Sequence, residues 1–194
     1  MAKWVFDRVV AFFGLLFLWP VMIVIAAAVK LSMPQGKVFF CQERVGQHGK
    51  LFRLIKFRTM YAGMEGPSIT VSSDKRISKT GAFLRKYKLD ELPELWNVLK
   101  GDMSFVGPRP DVPGYADKLI DEDRKILCLK PGITGPASLK YRHEEQLLDG
   151  KENPIEYNDQ IIWPDKVRIN LEYYKNRTFF GDIKIIFMTL GLIK

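Results

Sequence analysis

The sequence predicts a mixed, mainly α-helical fold with a small β-hairpin and one N-terminal helix built for a membrane. Three observations carry this expectation. Val9 to Val29 is an unbroken run of 21 residues without a charge. Two β-prone stretches, Val38 to Gln42 and Leu51 to Phe57, flank a glycine-containing connection, which is the pattern of a hairpin. Most of the remaining signals are helical starts and stops. At 194 residues, with 47% hydrophobic and 27% charged content, the chain is globular and large enough for one cored domain plus an appendage. The expected division is a membrane helix over 1–35 and a soluble domain with interfacial helices over 36–194.

The apolar run would extend ~31 Å as a helix, about the thickness of the hydrocarbon core. Pro20 lies near its centre, removes one backbone donor and clashes with the preceding turn, so a helix broken at Pro20 is expected. Lys3 and Arg8 precede the run; Lys30 and Lys37 follow it. The preference of basic flanks for the cytoplasmic side cannot be met at both ends by a straight span. A re-entrant, monotopic helix that enters and leaves one leaflet meets it, whereas an ordinary span meets the length alone, and the residues leave both open. Trp4, Phe6, Phe12, Phe13, Phe17 and Trp19 suit interfacial anchoring in either geometry. A cleaved signal peptide fits less well, because the run is long for its apolar region and no small-residue cleavage site follows.

Pro34-Gln35-Gly36 reads as the turn out of the membrane segment, and Arg44 to Gly49 as the hairpin loop. Tyr61 to Thr80 is polar and rich in glycine and serine, hence a loop expected to be mobile; Gly81 to Tyr87 reads as a short basic helix. Pro93 is tolerated only in a first turn, so the next helix should begin near Leu89 or Asp90. Leu92, Leu95, Trp96 and Leu99 form its apolar stripe, and Gly101 stops it. Pro108, Pro110 and Pro113 force an extended turn around Arg109. Asp117 to Leu129 and Pro164 to Lys175 read as helices. Phe179 to Ile193, apolar except for Asp182 and Lys184, is too short to span and reads as an interfacial or a core helix. Cys41 and Cys128 form no metal pattern and are expected to be reduced packing residues.

A net charge of +8 and a pI near 9.4 point to anionic partners: phosphorylated substrates, acidic lipid or nucleic acid. The most informative run is Lys88 to Pro110, which places Asp90 and Glu91 side by side at a helix start. One acid there would cap free amides and complement the helix dipole. Two acids, with Arg85, Lys86 and Lys88 upstream and Arg109 downstream, suit chemistry in which a metal and a phosphate meet. Carboxylates are the usual protein ligands of Mg²⁺, which keeps several waters and draws on substrate phosphates. A carboxylate can also attack phosphorus, and such transfer needs charge neutralisation, for which Lys56, Arg58, Arg85 and Arg109 are the candidates. His48 and His143 are too few and scattered for a metal cluster, and Gly46 and Gly49 lack phosphate-loop spacing. The competing class is a non-catalytic basic membrane adaptor that binds anionic lipid or nucleic acid through net charge.

Several stretches resemble the bacterial sugar transferases, also called small monotopic phosphoglycosyl transferases. They are the apolar helix with its central proline, Phe39 to Met60 (FFCQERVGQHGKLFRLIKFRTM), Leu84 to Pro110 (LRKYKLDELPELWNVLKGDMSFVGPRP), Lys130 to Gly135 (KPGITG) and Asp182 to Leu190 (DIKIIFMTL). The resemblance implies transfer of a phospho-sugar from a UDP-sugar to undecaprenyl phosphate, giving the polyprenyl-diphosphate sugar and UMP. That would be the first membrane step in making a capsule, exopolysaccharide, O-antigen or glycoprotein glycan. It implies Mg²⁺ held by Asp90 and Glu91, with Asp90 carrying the phospho-sugar covalently. Arg85 would meet the lipid phosphate, and Lys56 and Arg109 the phosphates of the donor. It also implies a re-entrant helix at the cytoplasmic face of the bacterial inner membrane, with membrane lipid but no nucleic acid as a partner; homo-oligomerisation is left open. Two departures stand out: Trp19 precedes the helix proline where serine is common, and Asn170 stands where an aspartate often precedes the tyrosine pair. Leu139 to Asp165 is longer than in the shortest members and is expected to shape sugar choice.

Overall fold

The structure is a computed structural model and describes residues 2–64, 66, 71 and 73–193. The architecture is mainly helical with a small antiparallel sheet, as the sequence indicates. Helix α1 (Ala2–Ser32) is 31 residues long and, by length and composition, apolar enough to cross a membrane. It is not broken at Pro20: the helical backbone continues through that residue, which sits on the exposed face beside Trp19. Loss of one amide removes a single rung of the ladder, and here the rest of the helix is held by packing.

That packing runs from end to end. Lys3, Asp7, Ala11, Gly14, Leu18, Met22, Ile25 and Val29 recur at spacings of four and three and form the less exposed face of α1. Lys3 Nζ reaches Asp182 Oδ2 at 2.5 Å and the Val106 carbonyl at 3.1 Å. Asp7 Oδ1 accepts the Phe105 amide at 3.4 Å. Ala11 packs with Leu54, Val98 and Met103, and Gly14 faces Leu95. In the second half Met22, Ile25, Ala26, Val29 and then Met33 pack with Phe57, Leu84, Leu89 and Leu92. The opposite face carries Trp4, Phe12, Phe13, Phe17, Trp19, Ile23 and Val24, all exposed.

The hairpin forms as expected, with β1 (Phe39–Val45) antiparallel to β2 (Leu51–Phe57) and Phe40 opposite Lys56. β1 runs three residues beyond the expected end, because Val45 is buried under Ala116, Ile126 and Leu127. Of the expected polar loop, residues 65, 67–70 and 72 lie outside the described residues; its flanks are tied by a Met60–Ile77 bridge. Helix α2 (Lys79–Lys86) is capped by the Ser78 side chain, which accepts the Gly81 amide. Helix α3 (Glu94–Lys100) starts later than expected, and residues Leu89–Glu91 form a separate 3-10 turn. Pro93 explains the difference: without an amide it cannot continue an i→i−4 ladder, and three-residue bonds tighten the chain instead. Lys88, with a left-handed φ of 56°, reverses the chain ahead of that turn.

A two-stranded parallel pair, β3 (Ser104–Val106) and β4 (Gly132–Thr134), follows α3. The helix expected over 117–129 is instead two 3-10 segments, Ala116–Lys118 and Asp123–Cys128. Leu119 is extended and Asp121 has a positive φ of 49°, so the chain kinks between them and turns Ile126 and Leu127 inward. Short helices α4 (Pro136–Lys140), α5 (Glu144–Asp149) and α6 (Pro154–Tyr157) lead to α7 (Trp163–Asn176) and α8 (Phe179–Thr189). One face of α8 packs Ile185 and Ile186 on Val106, Leu129 and Tyr173, while Phe180, Phe187 and Leu190 stay exposed. Both cysteines are free and exposed, not packed as expected.

Three glycines let the strand pair carry the turn toward Arg109. A Cβ on Gly107 would press into the Lys130 carbonyl, and one on Gly132 or Gly135 into the backbone of Gly107. Gly107→Ala is therefore expected to cost roughly 1–3 kcal/mol, as over-packing of a close contact does. A lowered thermal midpoint of the purified variant checks this.

Candidate active site

The acidic pair lies where β2, the Leu89–Glu91 turn and the segment after β3 converge. Asp90 and Glu91 are both buried, at 8% and 7% exposure, so neither serves as a solvated cap. Asn97 fixes the convergence. Its Nδ2 donates to the Arg53 carbonyl at 2.8 Å and its Oδ1 accepts the Ile55 amide at 3.2 Å, which sews α3 to β2. Lys56, the next residue along, is thereby brought to α3. Its Nζ stands 2.9 Å from Glu91 Oε1 and 3.0 Å from Glu94 Oε1. From the proline-rich turn, Arg109 Nη2 reaches the same Glu91 Oε1 at 2.8 Å.

Of the four cations singled out in the sequence, the structure thus brings Lys56 and Arg109 to the pair. Arg85 flanks it: its guanidinium pairs with Glu145 of α5 and approaches the Thr59 hydroxyl at 3.5 Å. Arg58 is placed elsewhere. It is buried, and its two terminal nitrogens donate to the Gln35 and Met33 carbonyls at 2.5 and 2.6 Å, closing the chain where it leaves α1. Asn170 on α7 is buried, makes no hydrogen bond to the acidic pair, and its Oδ1 lacks a partner among the described residues. A shallow surface pocket of about 310 Å³, lined by His48, Asp121, Arg124, Lys125, Leu127 and Cys128, includes none of the acidic-pair residues.

The two adjacent carboxylates are electrostatically unlike. Burial, and then the negative charge of Glu91, push Asp90 above the usual range, against partial relief from Lys56, Lys88 and Arg85. Burial alone would also raise Glu91, but Arg109, Lys56 and Lys88 outweigh it and hold that carboxyl well below the usual range. Glu91 in turn raises Arg109 above its ordinary value. Sequence reasoning missed two further acids. Glu94, 2% exposed, is pushed up to about 6 by burial despite Lys56. Asp111 is likewise pushed up to about 6 by burial, opposed by Lys166, Arg44 and Arg109. For Glu94 a signal existed: it follows Asp90 by four residues and so shares its helical face. Taking Trp96 for the core side hid it; Trp96 is 54% exposed, and α3 buries Glu94, Leu95, Asn97 and Val98 instead.

The residues fit a divalent cation of the kind expected. Asp90 Oδ1 is buried without a hydrogen-bond partner, and the direct cation contacts go to Glu91 and Glu94. Among the described residues no cluster of three or more acidic, histidine or cysteine side chains could cage a metal alone. A divalent ion there would have to take most of its ligands from water and phosphate, as Mg²⁺ does. Asp90 and the second oxygen of Glu91 would hold it.

An apolar helix seated on a small domain that buries an acid pair among cations marks a protein working at a lipid surface. The chain belongs to the bacterial sugar transferase family, which it matches over residues 1–193. It is 38% identical to the UDP-glucose:undecaprenyl-phosphate glucose-1-phosphate transferase of Xanthomonas campestris pv. campestris across 97% of its length, but spans only 38% of that protein. It is 36% identical to the uncharacterized sugar transferase EpsL of Bacillus subtilis, covering 97% of this chain and 85% of EpsL. It is 33% identical to the undecaprenyl-phosphate galactose phosphotransferase of Salmonella typhimurium, covering 98% of this chain and 40% of the relative.

The raised Glu94 gives a pH test. Between the ordinary glutamate value of 4.5 and about 6 the folded state holds the extra proton. The associated stability is present below that window and lost as pH rises through it. Glutamine does not titrate. The stability of the parent relative to Glu94→Gln should therefore fall by on the order of 2 kcal/mol between pH ~4.5 and ~7. Denaturant melts of both proteins at the two pH values check the sign.

Proposed function

We propose that this chain is a phosphoglycosyl transferase that moves a phospho-sugar from a UDP-sugar to undecaprenyl phosphate. The observation that carries the reading is the inequality of the pair: Glu91 Oε1 is engaged by Lys56 and Arg109, whereas Asp90 keeps a buried oxygen without a partner. That oxygen is the nucleophile. It attacks the phosphorus bonded to the sugar; the phosphoanhydride bond breaks, and UMP leaves with the bonding pair. The product is an acyl phosphate on Asp90 that bears the sugar. An oxygen of undecaprenyl phosphate then attacks the same phosphorus, the Asp90–phosphorus bond breaks, and the carboxylate is restored as the diphosphate-linked sugar forms. Bound Mg²⁺ would supply charge neutralisation on the phosphates.

The chain's own residues do the rest. Arg109, with 43% of its side chain exposed, has guanidinium surface left for a donor phosphate while it holds Glu91. Arg85 lies among the cations that act on Asp90 and is the candidate for the acceptor phosphate. The relatives' names specify glucose in one case and galactose in another, each with undecaprenyl phosphate, which supports the acceptor and leaves the sugar to this chain's own pocket.

The helix is read as monotopic, lying in the cytoplasmic leaflet of the bacterial inner membrane with both ends at its surface. Support comes from its seating: Lys3 at one end and Val29 at the other both contact the same domain, while aromatic and aliphatic side chains cover the other face. A perpendicular span would carry one half of the helix away from that domain. The lipid phosphate lies at headgroup level and the nucleotide sugar is soluble, so a site level with the surface reaches both.

Two experiments test this reading. Asp90→Asn is expected to abolish UMP release from the UDP-sugar even when no lipid acceptor is added; full turnover by that variant would remove Asp90 from the mechanism. For topology, Cys41 and Cys128 are replaced and Ala2→Cys or Lys37→Cys is introduced. A membrane-impermeant maleimide should label both positions in inside-out vesicles and neither in spheroplasts. Labelling from opposite sides would establish a span.

A further inference from the structure

Glu94 is a buried carboxylate for which the proposed reaction has no use. An acid held in the interior with few partners is costly, and apolar residues of similar volume often do as well or better for stability. Its placement is not incidental. Glu94 opens α3, 2% exposed, and its Oε1 lies 3.0 Å from Lys56 Nζ. The same ammonium lies 2.9 Å from Glu91 Oε1, so one nitrogen bridges two carboxylates. An ammonium has three rotatable donors on a flexible four-carbon stem and no preferred plane, so its position is set by the anions around it. Asp90 is the competing anion: among its cationic neighbours Lys56 acts on it most strongly, and its Oδ1 has no partner. An ammonium resting on that oxygen would occupy the lone pair that has to attack phosphorus.

We infer that Glu94 is a positioning residue: by holding the Lys56 ammonium against Glu91 it keeps it off Asp90, and so decides which carboxylate of the pair is free to act as nucleophile. This rests on the reading of Asp90 as nucleophile. Lys56 is then a bridge inside the protein and not a clamp on the donor. The Asn97 bonds to β2 fix how far along α3 the lysine stem starts, and the Glu94 carboxylate fixes where it ends.

The test is a double-variant cycle in the full chain: Glu94→Leu, Glu94→Gln, Lys56→Met, and Lys56→Met with Glu94→Leu. UMP release gives kcat and donor KM, and thermal melts give stability. Glu94→Leu should lower kcat by about tenfold or more with donor KM within about threefold of the parent. Glu94→Gln keeps an acceptor oxygen for the ammonium and should recover kcat to within about threefold of the parent. With Lys56 already replaced, Glu94→Leu should cost no further kcat, because no ammonium remains to be misplaced. Multiplying losses in the double variant, a parent-like kcat for Glu94→Leu, or no rescue by glutamine would each overturn the inference. The melts decide it independently of turnover. Lys56→Met strands buried carboxylates and should lower the midpoint, and adding Glu94→Leu should recover much of that loss. Simple addition of the two losses would mean the side chains do not act on one another, and the inference fails. A parent protein that releases no UMP from any UDP-sugar would instead count against the transferase reading, while the melts still judge the Lys56–Glu94 pairing.

Discussion

The acidic site turns on one part-buried ammonium. Lys56 Nζ sits within 3.0 Å of carboxylates on both Glu91 and Glu94, and so ties β2 to the acidic turn and to α3. In water such contacts contribute little; out of water, removing one partner from a buried pair typically costs about 3–5 kcal/mol because the other is left uncompensated. The neutral scaffold comes first, though. Asn97 satisfies an otherwise open donor and acceptor on β2, and only with α3 pinned there does the charge cluster close. Arg109 then arrives from the far side, delivered by a strand pair whose glycines permit backbone-to-backbone contact.

Helix α1 is a floor for this assembly more than an anchor attached to it. Its first half packs on Leu54 and Val98 and its second half on Phe57 and Leu84, so β2, α2 and α3 share one apolar support. Both termini of the chain meet there too: Lys3 of α1 and Asp182 of α8 pair beside the Tyr173 hydroxyl, which donates to the other Asp182 oxygen at 2.6 Å. The outer faces of α1 and α8 are both apolar, with Phe17 at 72% and Phe180 at 83% exposure. A helix that is apolar all round but packed on one side only requires a non-aqueous medium on the other.

What could be read from the sequence was whatever depends on local pattern. The hairpin followed from alternation and glycine, α7 from its proline start, and the acid pair from its crowding by cations. Three things could not be read, each for a physical reason. Continuity of α1 through Pro20 depends on tertiary packing, which compensates for one lost rung. The replacement of a helix over 117–129 by 3-10 segments depends on the break between them, where Leu119 is extended and Asp121 has a positive φ, and no local pattern announces that break. The role of Glu94 depends on which face of α3 turns inward, and Trp96 gave the wrong answer because a large apolar side chain need not be inside when membrane or substrate borders the surface. Arg58 illustrates the same limit: four cations look alike in sequence, and only geometry tells a backbone cap from a site residue.

Asp90 and Glu91 differ by one methylene and by their partners. Both occupy the same tight turn, both are buried, and both lie close to Lys56, Lys88 and an arginine. Yet the longer side chain spans to Lys56 and Arg109 and is held ionised there, while the shorter one leaves a buried oxygen without a hydrogen bond. Burial penalises the charge on Asp90 and so keeps its oxygen poorly solvated, which is the condition under which a carboxylate is a better nucleophile than it is in water. Glu91 Oε1, by contrast, is hydrogen-bonded to two cations. The two neighbouring acids thus differ in their surroundings: the short one keeps an oxygen without a partner, and the long one ties the turn to Lys56 and Arg109.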